Sequence, residues 1–152
     1  MEKRGGWAPL KKIRVEEEED SSPWKIKKTL TREELSTKGQ CVRLQDSDVK
    51  NFILNNWSEM IVKRAEIDDI RITVDDLDTG SEHESSFRYY KPHPKHKGGY
   101  FLQGLWKYNF VERRSLSAGD EIGLFCDPRT KKLCFSVLKR AKTEQDSNLL
   151  NT

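Results

Sequence analysis

The chain has 152 residues, 34% of them hydrophobic and 35% charged, with a formal net charge of +3. No apolar run approaches the ~20 residues that a transmembrane helix needs. Met1 to Leu10 contains no apolar stretch of signal-peptide length, so one soluble domain inside the cell is expected. Cys41, Cys126 and Cys134 are odd in number and not closely spaced, and His83, His93 and His96 have no partner cysteines at finger spacing, which argues against a metal site or a disulfide framework.

Residues 1–23 contain Gly5-Gly6, Pro9, Pro23 and an acidic block from Glu16 to Asp20, a composition that repels itself and buries little. They read as a disordered charged tail. Within it, Lys11, Lys12 and Arg14 form a short basic cluster of the nuclear-import type. Residues 141–152 read as a second, flexible tail. Setting both tails aside leaves 22 basic and 17 acidic residues in 24–140, so the middle of the chain is more basic than the whole.

Between the tails the pattern is mostly strand. Trp24 to Leu30 reads as the first strand, followed by a polar break from Thr31 to Gly39. Cys41, Val42 and Leu44 begin the second. Ser47 and Asp48 are N-cap residue types, and Val49, Phe52, Ile53 and Trp57 recur at helical spacing, which predicts a short helix at about 47–56. Ile70, Ile72 and Val74 alternate with polar residues in a strand with one buried face. The acid pairs Asp68-Asp69 and Asp75-Asp76 are expected at solvated strand ends and turns, since neighbours on a strand face opposite ways.

Asp78-Thr79-Gly80 is a turn, and Ser86 to Tyr90 a short strand. A polar stretch broken by Pro92, Pro94 and Gly98-Gly99 follows, before strand character resumes at Tyr100 to Leu102. Leu105 to Arg114 reads as a second helix, with Trp106 and Phe110 on its apolar side. A turn at Leu116 to Asp120 leads into a strand at Glu121 to Cys126. Asp127 to Thr130 reverses the chain into a last strand carrying Leu133, Phe135 and Val137. Cys126 and Cys134 flank this hairpin and are expected to be core thiols. So many short strands favour a small barrel or sandwich.

No enzyme constellation is present: there is no Gly-x-Ser-x-Gly elbow, no phosphate-binding Gly-Lys loop and no His-Glu-x-x-His. The informative segment is Arg88 to Lys107, which carries Arg88, Lys91, His93, Lys95, His96, Lys97 and Lys107 without one acid. Prolines stiffen its densest part, Lys91 to Gly99, and glycines let it turn. Such a loop projects from the core, and projected lysines and imidazoles suit phosphates and groove edges.

The run Gln103-Gly104-Leu105-Trp106-Lys107-Tyr108-Asn109-Phe110-Val111, with Leu116-Ser117-Ala118-Gly119-Asp120-Glu121-Ile122 after it, resembles the signature of the plant-specific B3 DNA-binding domain. Lys28-Thr29-Leu30-Thr31 with Glu34-Leu35 is similar to that family's first strand running into its first arm. The second strand, Cys41-Val42-Arg43-Leu44-Gln45, is not followed by the family's frequent Pro-Lys, which marks a divergent branch. The resemblance spans residues 24–140. It implies a mainly β fold: a seven-stranded open pseudobarrel with two short flanking α-helices.

The resemblance also implies a nuclear, non-enzymatic regulator of transcription that grips the major groove of double-stranded DNA with two arms. Mapped here, the arms are Thr31 to Gln40 and Tyr90 to Gly99. Arg32, Lys91, Lys95 and Lys97 would then neutralise phosphates; Lys38, Gln40, His93 and His96 would meet base edges; Arg88 and Lys107 would touch flanking backbone. Neither a cofactor nor a small-molecule substrate is implied. A rival reading, motivated by Glu33 and Glu34 in the first arm and by the Glu16–Asp20 block, is a scaffold that binds other transcription proteins.

Overall fold

Seven strands form in the computed structural model, which describes residues 22–36 and 41–141. They are β1 (Ile26–Thr29), β2 (Val42–Leu44), β3 (Ile70–Asp76), β4 (Ser81–Tyr90), β5 (Gly99–Gln103), β6 (Glu121–Cys126) and β7 (Leu133–Lys139). Burial alternates along β3 and the first half of β4, while β6 and β7 carry runs of consecutive buried residues. All lie in one sheet, in the order β1-β6-β7-β3-β4-β5-β2. Pairing is antiparallel except between β3 and β7. The expectations for residues 1–21 and 142–152, and with them Lys11, Lys12 and Arg14, lie outside the described residues. So do Lys38 and Gln40.

One carboxylate shows how far the sheet has curled. Glu34 sits on a single-turn helix, α1 (Arg32–Leu35), between the two edge strands. Its Oε2 is 3.0 Å from the Lys28 ammonium on β1 and accepts from the backbone N–H of Arg43 on β2 at 3.4 Å. Strands at opposite ends of the sheet thus reach one side chain, yet no ladder joins them. The result is an open, nearly closed barrel, as the resemblance implied.

The barrel is filled by aromatic and aliphatic side chains from the strands and from the helical stretch at 105–114. Trp106 stacks on Phe110 with centroids 4.7 Å apart, and Phe135 meets both rings edge-on. Phe87, Leu102, Ile122 and Leu124 are fully buried around them. Cys126 and Cys134 are buried free thiols. Burial, reinforced by the Asp75 carboxylate, pushes Cys134 up to about 11, so it behaves as a small hydrophobe at neutral pH.

The helices depart most from expectation. The single helix at 47–56 is a helix α2 (Asp46–Phe52) followed by a 3₁₀ turn, Leu54–Asn56. A third helix, α3 (Glu59–Ala65), was not expected. Its Ser58 N-cap accepts from the Ile61 N–H, but Met60 is exposed and Ala65 is its buried residue, so no apolar period advertises it. The stretch at 105–114 forms a π-helix over Lys107–Glu112, wider than an α-helix. Strand β4 starts at Ser81 rather than Ser86, because it pairs with β3 along the whole register from Asp76↔Ser81 to Ile70↔Phe87. Glu82 and Glu84 on its exposed face hid that extension.

Asp76 corrects the reading of Asp75-Asp76 as a solvated strand end. It is fully buried. Its Oδ2 accepts from Arg113 and Arg114 at 2.6 Å each, and its Oδ1 from the N–H groups of Asp78 and Thr79. Burial opposes ionisation, but the hydrogen bonds and charges of the two arginines outweigh it and hold the Asp76 carboxyl below the usual range. Asp78 extends the network, accepting from Ser136, Val137 and Arg114.

Candidate functional site

The loop between β4 and β5 is built from short-range rules. Gly98 and Gly99 have φ of +73° and +120°, which side-chain-bearing residues rarely adopt. A Cβ on Gly98 would lie 2.4 Å from the Tyr90 carbonyl oxygen, so only glycine lets the two ends of the loop close. At the tip, His93 and His96 exchange both backbone hydrogen bonds across Pro94-Lys95, at 2.9 and 3.0 Å. Their imidazoles stack with centroids 5.1 Å apart, and His93 Nδ1 accepts from the Lys95 N–H.

This folding turns every polar side chain of the loop outward. Residues 91 to 97 are all exposed. Lys91, Lys95 and Lys97 form no ion pair with any described residue. Three cations and two imidazoles therefore project together from one end of the β4–β5 hairpin, without a counter-charge paired to them among the described residues.

The loop rises from the outer face of β2, β5 and β4. Register places Arg43 opposite Phe101 and Phe101 opposite Arg88 on that face. Tyr90 meets Phe101 edge-on at 5.6 Å, and its hydroxyl accepts from Gln103 Nε2 at 2.9 Å. Beneath the loop lies an open concavity of about 420 Å³, bounded by Arg43, Tyr90, His96, Lys97, Phe101 and Gln103 among others. Arg43 Nε donates to the Gly98 carbonyl at 2.9 Å. Nothing in the sequence singled out Arg43, because its partner is 55 residues away.

The remaining expected residues fall into two groups. Arg32 is exposed on α1 and forms no ion pair with a described residue. It leads the first arm, which the Glu34 bridge fastens to the barrel. Glu34 does not face outward as a free acid: it is paired with Lys28 and closes a capping box with Thr31. The Thr31-x-x-Glu34 pattern was a legible signal for that role. Glu33 remains exposed.

Arg88 and Lys107 are held by acids of the same chain. Arg88 is 3.7 Å from Asp69 and lies over the Tyr90 ring. Lys107 is 3.9 Å from Glu112 and sits beyond the end of β5 that is remote from the loop. The structure thus gathers Lys91, His93, Lys95, His96 and Lys97, and leaves Lys107 apart.

The sequence from 24 to 138 matches the family model of the B3 domain-containing protein At5g26805, C-terminal domain. The chain belongs to the B3 domain family. The Arabidopsis thaliana B3 domain-containing protein At5g26805 is 34% identical over 118 residues, which cover 76% of this chain and 71% of that protein. A longer Arabidopsis B3 domain-containing protein, At1g78640, is 36% identical over 125 residues, 80% of this chain but 23% of that protein.

Among solved structures, an Arabidopsis FUS3–DNA complex superposes with a TM-score of 0.57 at 20% identity, covering 76% of this chain and 96% of the other. The Arabidopsis transcription factor LEC2, also solved as a DNA complex, gives 0.57 at 12% identity, covering 76% and 93%. At such identities the likeness concerns the fold.

Proposed function

We propose that this B3 domain binds double-stranded DNA sequence-specifically and acts in the nucleus as a regulator of transcription, gripping the major groove with two arms. The observation that carries the reading is the cluster of exposed cations at Lys91, Lys95 and Lys97, without an ion pair to any described residue and projected on a loop of restricted shape. In this reading those lysines and Arg32 neutralise phosphates, and His93 and His96, with Lys38 and Gln40 from the first arm, meet base edges. Arg88 and Lys107 add flanking contacts, weakened by their acidic partners.

The rival reading, a scaffold for protein partners, leaned on Glu33 and Glu34 of the first arm and on the Glu16–Asp20 block. The pairing of Glu34 with Lys28 removes Glu34 from that motive; Glu33 remains exposed, and the block lies outside the described residues. The test is titration of labelled duplex DNA, selected from a random-site pool, at several salt concentrations. If ~4 phosphates are neutralised, log affinity falls by roughly 3.6 per decade of salt. An unenriched pool, or binding indifferent to salt, would return the weight to a protein partner.

A further inference from the structure

A two-armed grip requires the arms to be held at a set separation, and one side chain stands between them. We propose that Arg43 is a positioning residue, a strut that sets the second arm against the first; this rests on the DNA-binding reading. Its backbone N–H is bound by Glu34, the residue that caps α1 in the first arm. Its guanidinium Nε is bound to the Gly98 carbonyl at the base of the second arm. Its terminal nitrogen is 3.8 Å from Asp46, at the start of α2, which steadies the planar group. Arg43 thus joins three segments through a backbone donor, a side-chain donor and a charge.

The sequence around the strut is arranged to admit it. A Cβ at Gly99 would lie 2.7 Å from Arg43 Nε, so glycine leaves the space the guanidinium fills. Without the strut, the hydrogen bonds that hold residues 91–97 among the described residues are those of the His93–His96 turn and of the strand ends. DNA would then have to order the loop as it binds, and that ordering weakens affinity. Arg43 would act without touching DNA, so its loss should not change the number of counterions released.

The experiment compares the full chain with Arg43→Met by NMR order parameters without DNA and by duplex titration across salt. Order parameters are expected to fall over residues 91–98 and to hold in β3, β6 and β7. Affinity is expected to drop roughly tenfold, the size of one hydrogen bond from a charged donor, with the salt slope unchanged. Arg43→Lys keeps a positive charge near Asp46 but lacks the Nε–H that meets the Gly98 carbonyl, and is expected to loosen the same residues.

Undiminished order in residues 91–98 of Arg43→Met overturns the proposal. So does a fall in slope of about 0.9, which would mean that Arg43 itself neutralises a phosphate. If the unaltered chain fails to bind any duplex, the DNA reading falls, while the order parameters still decide whether Arg43 is a strut.

Discussion

Two highly charged regions of this domain treat charge in opposite ways. Around Asp76, carboxylates and guanidiniums lie within hydrogen-bonding distance of each other, and Asp76 is sealed from water. At Lys91 to Lys97, cations stand exposed with no ion pair to any described residue. Paired charge under the surface serves the fold, because removing one partner strands the other in a poor solvent. Unpaired charge in water costs the fold little and remains available to a polyanion. The same residue types thus divide into structural and binding roles by burial and pairing alone.

The largest effect that would break this contrast is at the buried end. Asp76→Asn keeps the shape but removes the carboxylate that Arg113 and Arg114 share, and is expected to destabilise the domain by ~3–5 kcal/mol in denaturant unfolding. A loss below about 1 kcal/mol would show that the network is dispensable. Triple substitution of Lys91, Lys95 and Lys97 by alanine should do the reverse. The salt slope of DNA binding is expected to shrink by about 2.7, while stability moves by no more than ~0.5 kcal/mol per site.

Acid titration sharpens the same comparison. Because folding lowers the Asp76 and Asp78 pKa values, the unfolded chain binds their protons more readily. Their stabilisation is complete above the ordinary carboxylate value of 3.8 and is lost as the pH falls below it. His83 is also lowered, by burial and then by the Arg113 charge. As a base it is likewise protonated more readily unfolded, so stability starts to decline below 6.5. Thermal melts from pH 8 to pH 3 should therefore fall in two stages, and Asp76→Asn should flatten the lower one.

The smaller effects test the first arm and the surface. Thr31→Ala removes the capping box of α1 and is expected to cost about 1 kcal/mol. Its loss should also loosen Glu34, visible as faster exchange of the Arg43 amide. Arg71→Ala breaks an ion pair with Glu84 in which the arginine side chain is 85% exposed. It should change stability by less than ~0.5 kcal/mol, a baseline for surface charge against which Asp76 is judged.

By itself the sequence determined the features that depend on near neighbours. The alternation of Ile70 to Val74 specified a half-buried strand, Trp106 and Phe110 announced core, and prolines and glycines made Lys91 to Gly99 a projecting loop. Local chemistry also carried the motif that placed the chain in its family. Tertiary structure alone decided which charges are free. Asp76 meets arginines 37 and 38 residues away, and Arg43 meets Gly98 across 55. Arg88 is drawn to Asp69 by the fold around it. Periodicity reports which way a side chain points, but the partner it meets depends on how the sheet curls, and that is a property of the whole chain.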